Sequence, residues 1–483
     1  MSTSIRRLGV LLLGLFVLLS LALPYWQMLR APELLARADN PRPAEEERRI
    51  ERGRILSADG QELAVSRRGA DGISVRAYSY APLAATVGYW SGRYGNGGIE
   101  AARDLDLRGD GRLSSLDALS RRLLHQPVIG DDVVLSIDLR LQKVADDALG
   151  KANGAIVVLN ASTGAILAQV SHPYVDPNRL EADWDKIKAD PARPLLNRAT
   201  QGLYTPGSTF KTVTLAAALD SGMLSPSSTF SYTLRAPDAV HHGWWHQSQN
   251  GILCENHATK QGQFDLTAAY AWSCNVAFSE IGLQLGPETF ADYARRFGLG
   301  SAAPLEIPVA TSQLYHTPNY FSGPEQRYAL ASTAFGQGEL AVTPLQMALI
   351  AAAVANEGMI PRPYLVAELR DRQGSVTGRT VPQLWRTAMS PQTASLERAI
   401  MGASTEWGWA QTARISGAAM GGKTGTAETG DPTKPPHSWF IGFAQGQNAT
   451  SATYAIAVIK EFTGYGSEEA APAAKKVLEA AIK

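Results

Sequence analysis

The chain has 483 residues, which exceeds one ordinary domain and suits two or three. A hydrophobic content of 45% with 19% charged residues is typical of a globular protein with a full-sized core. Lysine plus arginine and aspartate plus glutamate both total 45, so no net charge favours nucleic acid, and we expect no nucleic-acid partner.

The first 28 residues predict a membrane anchor. Arg6 and Arg7 precede an apolar run from Leu8 to Leu23, which reaches the length of a bilayer span once the aromatic residues after it are counted. The arginines predict a cytoplasmic N-terminus. We assign 1–28 to a cytoplasmic tip and a single-pass helix in the cytoplasmic membrane, with the rest of the chain extracytoplasmic. The alternative is a cleaved signal peptide, for which Ser20-Leu-Ala22 is a passable cleavage site.

Residues 29–150 predict a stalk and a small mixed pedestal domain. The segment 29–52 is dominated by charge, proline and alanine, which is typical of a solvated stalk. Asp59-Gly60 between short apolar segments indicates a β-hairpin. The stretch Leu139–Leu149 predicts a helix with one apolar face, ended by a glycine. Residues 53–135 contain no nucleophile with a base, no metal-ligand spacing and no phosphate loop, so we expect a spacer or partner-binding role.

Residues 151–483 predict an α+β domain built on a five-stranded antiparallel sheet. Strands from both ends of this region would flank a largely helical middle, from about Thr205 to Glu357. The predicted strands are Ala155–Leu159, Ala165–Val170, Gly422–Glu428, Ser438–Phe443 and Tyr454–Ile459, and the predicted helices include Leu345–Ala355 and Ala473–Ile482.

The first of three short motifs is Ser208-Thr-Phe-Lys211, at the start of a helix entered through Pro206-Gly207. Residues three apart share a helix face, so the hydroxyl and the amine would lie side by side. A serine is a weak nucleophile until a base removes its proton, and lysine is such a base only when burial or a nearby cation lowers its pKa. We predict Ser208 as nucleophile, Lys211 as base and Lys423 as the nearby cation. Taken alone, the motif favours an ordinary serine cap and a solvated lysine.

The second motif is Ser273-Cys-Asn275, at the turn after a short predicted helix. The hydroxyl of Ser273 could relay a proton between the lysine and a leaving amine. The side chain of Asn275 could hold the lysine or a substrate amide. Alone, the tripeptide could equally be a capped turn.

The third motif is Lys423-Thr-Gly-Thr426, in a predicted strand. Gly425 would allow close approach of a ligand to the backbone. Lys423 with the hydroxyls of Thr424 and Thr426 would suit a substrate carboxylate. The backbone N–H groups of Thr426 and Ser208 could form an oxyanion hole. Alone, a strand-end turn is equally compatible, but the three motifs in this order are the signature of penicillin-binding proteins and serine β-lactamases.

Two cysteines and a histidine-rich segment carry weaker signals. Cys254 and Cys274 could form a disulfide, but we expect two isolated small hydrophobic residues. The segment His241-His-Gly-Trp-Trp-His246, with Asp238 before it and Cys254-Glu-Asn-His257 after it, contains zinc-ligand types in no standard spacing. We predict an aromatic loop near the cleft, no metal and no cofactor, with a metal site as the alternative.

The chain resembles the class B penicillin-binding proteins, the monofunctional peptidoglycan D,D-transpeptidases, along nearly its whole length. Beyond the three motifs, the stretches similar to this family are Arg52–Ala64, Tyr94–Glu100, Leu135–Asp138, Gly154–Ala168 and Gly336–Met347. Ser57-Ala58 replace the acidic-basic pair usual in the family, which affects only the pedestal detail. The length looks most like that of the elongation- or sporulation-associated members.

The resemblance implies a penicillin-binding/serine β-lactamase-like fold and a mechanism. Ser208 would attack the penultimate D-alanine carbonyl of a stem peptide ending in D-Ala-D-Ala, and terminal D-alanine would leave. An amine from a neighbouring stem would then resolve the ester into a cross-link. β-Lactams would acylate Ser208 as mimics of that dipeptide. The resemblance also implies a membrane glycosyltransferase partner of the shape, elongation, division or sporulation class, in the inner membrane.

Two alternatives stay open. A β-lactamase or D,D-carboxypeptidase would pass the acyl group to water, and a non-catalytic scaffold or sensor would only bind penicillin or peptide. An acyl-enzyme that waits for an amine must not activate water, and the sequence shows no obvious carboxylate for that task.

Overall fold

The computed structural model describes residues 2–30, 33, 48–70, 72–109, 129–231, 234–235, 245–247, 253–255, 263–322, 326–446 and 453–483. The strands of these ranges, numbered in chain order, are β1 (Ile55–Leu56), β2 (Glu62–Arg68), β3 (Ser74–Tyr78), β4 (Trp90–Ser91), β5 (Gly95–Asn96), β6 (Asp132–Leu135), β7 (Gly154–Asn160), β8 (Ile166–His172), β9 (Thr229–Ser231), β10 (Leu234–Arg235), β11 (Trp245–Gln247), β12 (Leu253–Glu255), β13 (Gln263–Asp265), β14 (Met359–Pro361), β15 (Val366–Arg370), β16 (Val376–Arg379), β17 (Leu384–Thr387), β18 (Ala419–Ala427), β19 (His437–Gln445) and β20 (Thr453–Lys460).

The helices are α1 (Ser2–Pro24), α2 (Ala84–Val87), α3 (Gly98–Ala102), α4 (Asp104–Arg108), α5 (Leu139–Leu149), α6 (Leu180–Ala189), α7 (Lys211–Asp220), α8 (Leu266–Ala271), α9 (Asn275–Arg296), α10 (Gln326–Ala334), α11 (Pro344–Ala355), α12 (Pro391–Glu406) and α13 (Ala470–Ala481). Short 3₁₀ turns cover Ala81–Leu83, Pro177–Arg179, Gly207–Phe210 and Gln411–Ala413, and a π-helical turn covers Tyr25–Leu29.

The predicted five-stranded antiparallel sheet is confirmed, with the strand order β18-β19-β20-β7-β8. Its inner strands are buried on both faces, so alternate residues enter two different cores. Val157 and Ile459 belong to the large core that contains α11, whereas Ile156 and Val458 belong to a second core beneath α5 and α13. The sheet is thus the central layer of an α+β domain.

Helix α5 has the predicted bounds, Leu139–Leu149. The carboxylate of Asp138 caps it by accepting a hydrogen bond from the backbone N–H of Leu141, and Gly150 follows its last residue. Its apolar residues Leu141 and Leu149 pack in the second core with the five-stranded sheet. This packing favours a domain boundary before α5, closer to the chain start than the predicted 150.

The pedestal contains a six-stranded sheet with the order β16-β15-β6-β1-β2-β3. Its β15–β16 hairpin comes from the second half of the chain, and β15 pairs antiparallel with β6. The carboxylate of Glu306 accepts hydrogen bonds from the N–H groups of Leu365 and Val366, at 2.9 and 3.0 Å, where this hairpin begins. The pedestal and the larger domain are therefore joined by strand pairing as well as by the chain connection at 135–139.

A buried ionic network links three segments of the pedestal. Glu100 is fully buried and accepts from Arg76 Nε at 2.6 Å and from Arg52 Nε at 3.1 Å. Each buried charge therefore has an opposite charge within hydrogen-bond distance, as burial requires. The network fixes β3 and the chain before β1 against α3.

At the N-terminus, α1 and the turn after it present apolar side chains to the exterior on all sides. The stretch Thr3–Gln27 is long and apolar enough to cross a membrane. Residues 31–32 and 34–47, most of the predicted stalk, lie outside the described residues.

Candidate active site

Ser208 lies in the 3₁₀ turn Gly207–Phe210, which leads directly into α7, rather than in the first turn of the α-helix as predicted. Gly207 has φ +56°, and a Cβ on it would lie 2.7 Å from the carbonyl oxygen of Thr426. Only glycine satisfies both conditions without strain. The turn is thereby pressed against β18, which brings the backbone of Ser208 close to that of Thr426.

Lys211 is fully buried, and its amine is surrounded by oxygen atoms. Lys211 Nζ lies 3.1 Å from Ser208 Oγ, 2.7 Å from the carbonyl oxygen of Ser273 and 2.6 Å from Asn275 Oδ1. A neutral amine has two hydrogens and one lone pair. The carbonyl and amide oxygens can only accept, so they take the two hydrogens and leave the lone pair for a hydroxyl proton.

The Ser273-Cys-Asn275 motif occupies the predicted turn, between the end of α8 and the start of α9. Ser273 has φ +59°, in the left-handed region that non-glycine residues rarely adopt. In this conformation both its carbonyl oxygen and its hydroxyl reach Lys211 Nζ, at 2.7 and 3.0 Å. Backbone strain of this kind often marks a functional site.

Lys423, from the edge strand β18, completes the cluster. It is fully buried, and its Nζ lies 2.8 Å from Ser273 Oγ and 3.1 Å from the carbonyl oxygen of Thr424. The hydroxyl of Ser273 thus touches both lysine amines. The structure therefore brings together the predicted residues of all three motifs.

The electrostatics of the cluster favour one neutral and one charged amine. Burial lowers the pKa of Lys423 to about 7. Burial, with the neighbouring charge of Lys423, lowers the pKa of Lys211 well below its ordinary value. The lowered pKa of Lys211 favours its neutral form, in which the amine can act as a base. The prediction that Lys423 is the second cation agrees with this arrangement.

The remaining residues of the third motif occupy different positions. A Cβ on Gly425 would lie 2.9 Å from the carbonyl oxygen of Pro206, so the close approach predicted there is made by the chain before Ser208 rather than by a ligand. Thr426 lines the open cleft, whereas Thr424 is buried, with 6% of its surface exposed. Of the two threonine hydroxyls, the one on Thr426 is thus better placed to meet a substrate.

The cleft above Ser208 has a volume of about 750 Å³. Its lining includes Ser208, Ser273, Asn275, Phe335, Gln337, Thr426, Glu428, Asp431, Lys434 and Tyr465. Sequence reasoning found no carboxylate near the nucleophile, but Glu428 and Asp431 both lie in this wall. Asp431 accepts hydrogen bonds from the N–H and hydroxyl of Thr433. Glu428 follows the last residue of the third motif by two positions, and this closeness in sequence could have indicated that its carboxylate lies in the cleft.

The expectation of two isolated cysteines is wrong, because Cys274 is disulfide-bonded. The only other cysteine in the chain is Cys254. The amino-acid sequence contains both cysteines but does not show how far apart they lie in the fold. The bridge falls between Ser273 and Asn275, so it restrains the turn that carries both side chains.

Most of the histidine-rich segment lies outside the described residues, namely 236–244, 248–252 and 256–262. Its predicted role as an aromatic loop, with a metal site as the alternative, stays a prediction. In the ranges that the structure does describe, no group of three or more His, Cys, Asp or Glu side chains could hold a metal ion.

Glu397 of α12 is a buried carboxyl that sequence reasoning missed. It is fully buried, and neither of its oxygens has a hydrogen-bond partner in the described part of the chain. Burial, together with the negative charge of Asp220, raises the pKa of Glu397 well above its ordinary value. Burial therefore favours the protonated form of this carboxyl.

The fold and the site define a protein of the penicillin-binding and serine β-lactamase class, with a serine-lysine pair beside the edge strand of a five-stranded sheet. Two family models match the chain: the penicillin binding protein transpeptidase domain over residues 154–479 and the penicillin binding protein A dimerisation domain over residues 52–133. The peptidoglycan D,D-transpeptidase PbpA of Mycolicibacterium smegmatis is 36% identical over 100% of this chain and 99% of that protein.

Two solved structures are similar. The penicillin G acyl-enzyme complex of penicillin-binding protein A from M. tuberculosis has a TM-score of 0.78 and 32% identity, covering 90% of this chain and 100% of that chain. The D,D-transpeptidase domain of a peptidoglycan glycosyltransferase from Eggerthella lenta has a TM-score of 0.75 and 29% identity, covering 90% and 98%. The chain belongs to the class B penicillin-binding proteins, as the resemblance along its sequence implied.

Proposed function

We propose that this protein is a peptidoglycan D,D-transpeptidase, which cross-links stem peptides through an acyl-enzyme on Ser208 and is acylated there by β-lactams. The observation that carries the proposal is the buried Lys211, whose amine lies 3.1 Å from Ser208 Oγ and whose pKa is lowered well below its ordinary value by burial and by the charge of Lys423. A relative named peptidoglycan D,D-transpeptidase and a relative caught as a penicillin G acyl-enzyme support it.

The acylation step follows from these contacts. Ser208 Oγ attacks the penultimate D-alanine carbonyl carbon while its proton moves to the lone pair of Lys211 Nζ. The negative oxygen of the tetrahedral intermediate is held by the backbone N–H groups of Ser208 and Thr426. As the carbon–nitrogen bond breaks, the proton passes from Lys211 through Ser273 Oγ to the leaving amine. The products are the Ser208 ester and terminal D-alanine.

Lys423 has two roles in this proposal. Its charge keeps the amine of Lys211 neutral, and with the hydroxyl of Thr426 it attracts the terminal carboxylate of the donor peptide. Because Lys423 touches Ser273 Oγ, it also supports the proton relay electrostatically.

Transfer to an amine closes the cycle. The acceptor amine of a neighbouring stem attacks the ester carbonyl and gives a proton to Lys211, and Ser208 Oγ recovers a proton as it leaves. Hydrolysis would need a carboxylate to activate water beside the ester. Glu428 and Asp431 line the cleft, but among the described residues neither Ser208 nor Lys211 forms a hydrogen bond to a carboxylate, which favours transfer over the hydrolytic alternatives.

The setting of the enzyme completes the proposal. The apolar helix α1 anchors it by a single pass in the cytoplasmic membrane, with the N-terminus in the cytoplasm and the cleft outside. Residues 29–138 act as stalk and pedestal, and residues 139–483, which include α5, act as the transpeptidase domain. A membrane glycosyltransferase that polymerises the glycan strands is the partner implied by family membership.

Labelling with a fluorescent penicillin tests the catalytic assignment. We expect the full chain in detergent to form a covalent adduct that survives denaturation, and Ser208→Ala to form none. Equal labelling of the variant would place the nucleophile elsewhere. A wild type that binds penicillin reversibly, without an adduct, would favour the scaffold or sensor alternative.

A further inference from the structure

A largely buried carboxylate links the chain before Ser208 to the end of the central sheet. Glu461, the residue after β20, accepts a hydrogen bond from the hydroxyl of Tyr204 at 2.7 Å. The same oxygen, Oε1, accepts from Arg198 Nε, also at 2.7 Å. The Arg198 and Glu461 side chains are 5% and 12% exposed, so water competes little for these bonds.

Arg198 is itself held in place. Its remaining nitrogens donate to the backbone carbonyls of Ala192 and Arg193, at 2.6 and 3.2 Å. A guanidinium with all these donors engaged has one orientation, and it fixes the carboxylate of Glu461 that Tyr204 contacts. The phenol therefore binds to a rigid acceptor.

Tyr204 passes this restraint to the turn that carries Ser208. Its backbone exchanges both hydrogen bonds with Val342, at 3.0 and 2.9 Å. Its ring lies edge-on to Trp439 with the centroids 6.1 Å apart, and the indole N–H of Trp439 donates to the carbonyl oxygen of Thr205 at 3.0 Å. Two residues later, Gly207 packs against the carbonyl oxygen of Thr426.

We propose that Tyr204, Glu461 and Arg198 form a clamp that sets the position of Ser208 relative to Thr426, and that Tyr204 is a positioning residue for acylation. The inference rests on the proposed function, since Ser208 and Thr426 supply the nucleophile and the oxyanion hole. The four-residue segment 204–207 is fixed at one end by the clamp and at the other by β18. Releasing the first end lets Ser208 shift relative to the reacting carbonyl. Such a shift slows the chemical step more than it weakens initial binding.

Tyr204→Phe tests the clamp because it removes one oxygen and leaves the Arg198–Glu461 ion pair intact. Stopped-flow acylation of the full chain by a fluorescent penicillin separates the limiting rate constant k2 from the dissociation constant of the first complex. We expect k2 to fall about tenfold, within the range that a misplaced reacting group produces, with the dissociation constant unchanged within twofold.

Tyr293→Phe is the matched control, since Tyr293 donates to Asp220 Oδ2 at 2.8 Å, at the far end of α7. It should lose a similar tyrosine–carboxylate bond while k2 stays at the wild-type value. In the double variant Tyr204→Phe, Glu461→Gln, k2 should fall no further than in the slower single variant, because both changes open the same clamp.

The outcomes separate the clamp from the enzyme assignment. If wild type is acylated and Tyr204→Phe keeps its k2, or if Tyr293→Phe slows equally, the clamp is refuted and the proposed function stands. If Tyr204→Phe only lowers the melting temperature, Tyr204 is structural and the clamp is refuted. If wild type itself is not acylated, the proposed function and the clamp both fail.

Discussion

Replacing Lys423 with methionine should make the folded protein more stable while removing a cation that the proposed chemistry needs. Lys423 is fully buried, and its pKa of about 7 lies far below the ordinary 10.5. At 1.36 kcal/mol for each pKa unit, holding this amine near pH 7 costs about 4–5 kcal/mol of folding free energy. The two hydrogen bonds that Lys423 makes return about 1 kcal/mol each. We expect Lys423→Met to raise the free energy of unfolding by about 2–3 kcal/mol at pH 7.

The stability difference between wild type and Lys423→Met should depend on pH. As pH falls, Lys423 is protonated at its ordinary pKa in the unfolded chain, whereas in the folded protein it is protonated only near pH 7. Between these values the unfolded state binds more protons, so the wild type loses stability as pH falls, and the variant lacks this loss. The advantage of Lys423→Met should be about 2 kcal/mol larger at pH 7 than at pH 9.

Chemical denaturation of the full chain in detergent at both pH values measures this difference. Lys476→Met, at an exposed lysine of α13, is the control and should show no pH-dependent gain. A gain of equal size at pH 7 and 9, or a variant less stable than wild type, would refute the claim that burial of the Lys423 amine destabilises the folded state.

The other predictions concern Glu397 and Ser273. The pKa of Glu397 is raised, so the folded state binds more protons than the unfolded state above about pH 4.5, and wild-type stability falls as pH rises. Glu397→Gln should therefore gain stability relative to wild type as pH rises above 5 in denaturation curves, whereas Glu468→Gln, at an exposed site, should not. For Ser273, loss of the hydroxyl between the two amines should lower k2 about a hundredfold. Ser273→Gly, which tolerates φ +59°, should slow acylation as much as Ser273→Ala. If Ser273→Gly is instead acylated at the wild-type rate, the slow acylation of Ser273→Ala comes from backbone strain and not from the missing hydroxyl.

The sequence predicted the features whose signals are local. Helix Leu139–Leu149 has its cap, its apolar face and its terminal glycine within a dozen residues, and its bounds were predicted correctly. The five strands of the central sheet were found from short apolar runs, with ends shifted by a few residues. The site motifs could be found because their spacing is fixed by chemistry.

The features that were missed depend on residues far apart in the chain. The pairing of β15 with β6 joins segments about 230 residues apart, and the bond between Tyr204 and Glu461 spans 257 residues. No pattern within a short stretch of sequence indicates contacts between residues so far apart. The disulfide at Cys274 and the left-handed conformation of Ser273 likewise follow from the packed turn, not from the tripeptide sequence.

The partition of the acyl-enzyme between an amine and water tests the central claim most directly. The full chain would be incubated with a stem pentapeptide ending in D-Ala-D-Ala and increasing concentrations of an acceptor amine, and the products separated by mass. We expect release of D-alanine and a transfer product that rises with the amine at the expense of the hydrolysed tetrapeptide, with both products lost in Ser208→Ala. Hydrolysis that is fast and unaffected by the amine would contradict it and identify a carboxypeptidase.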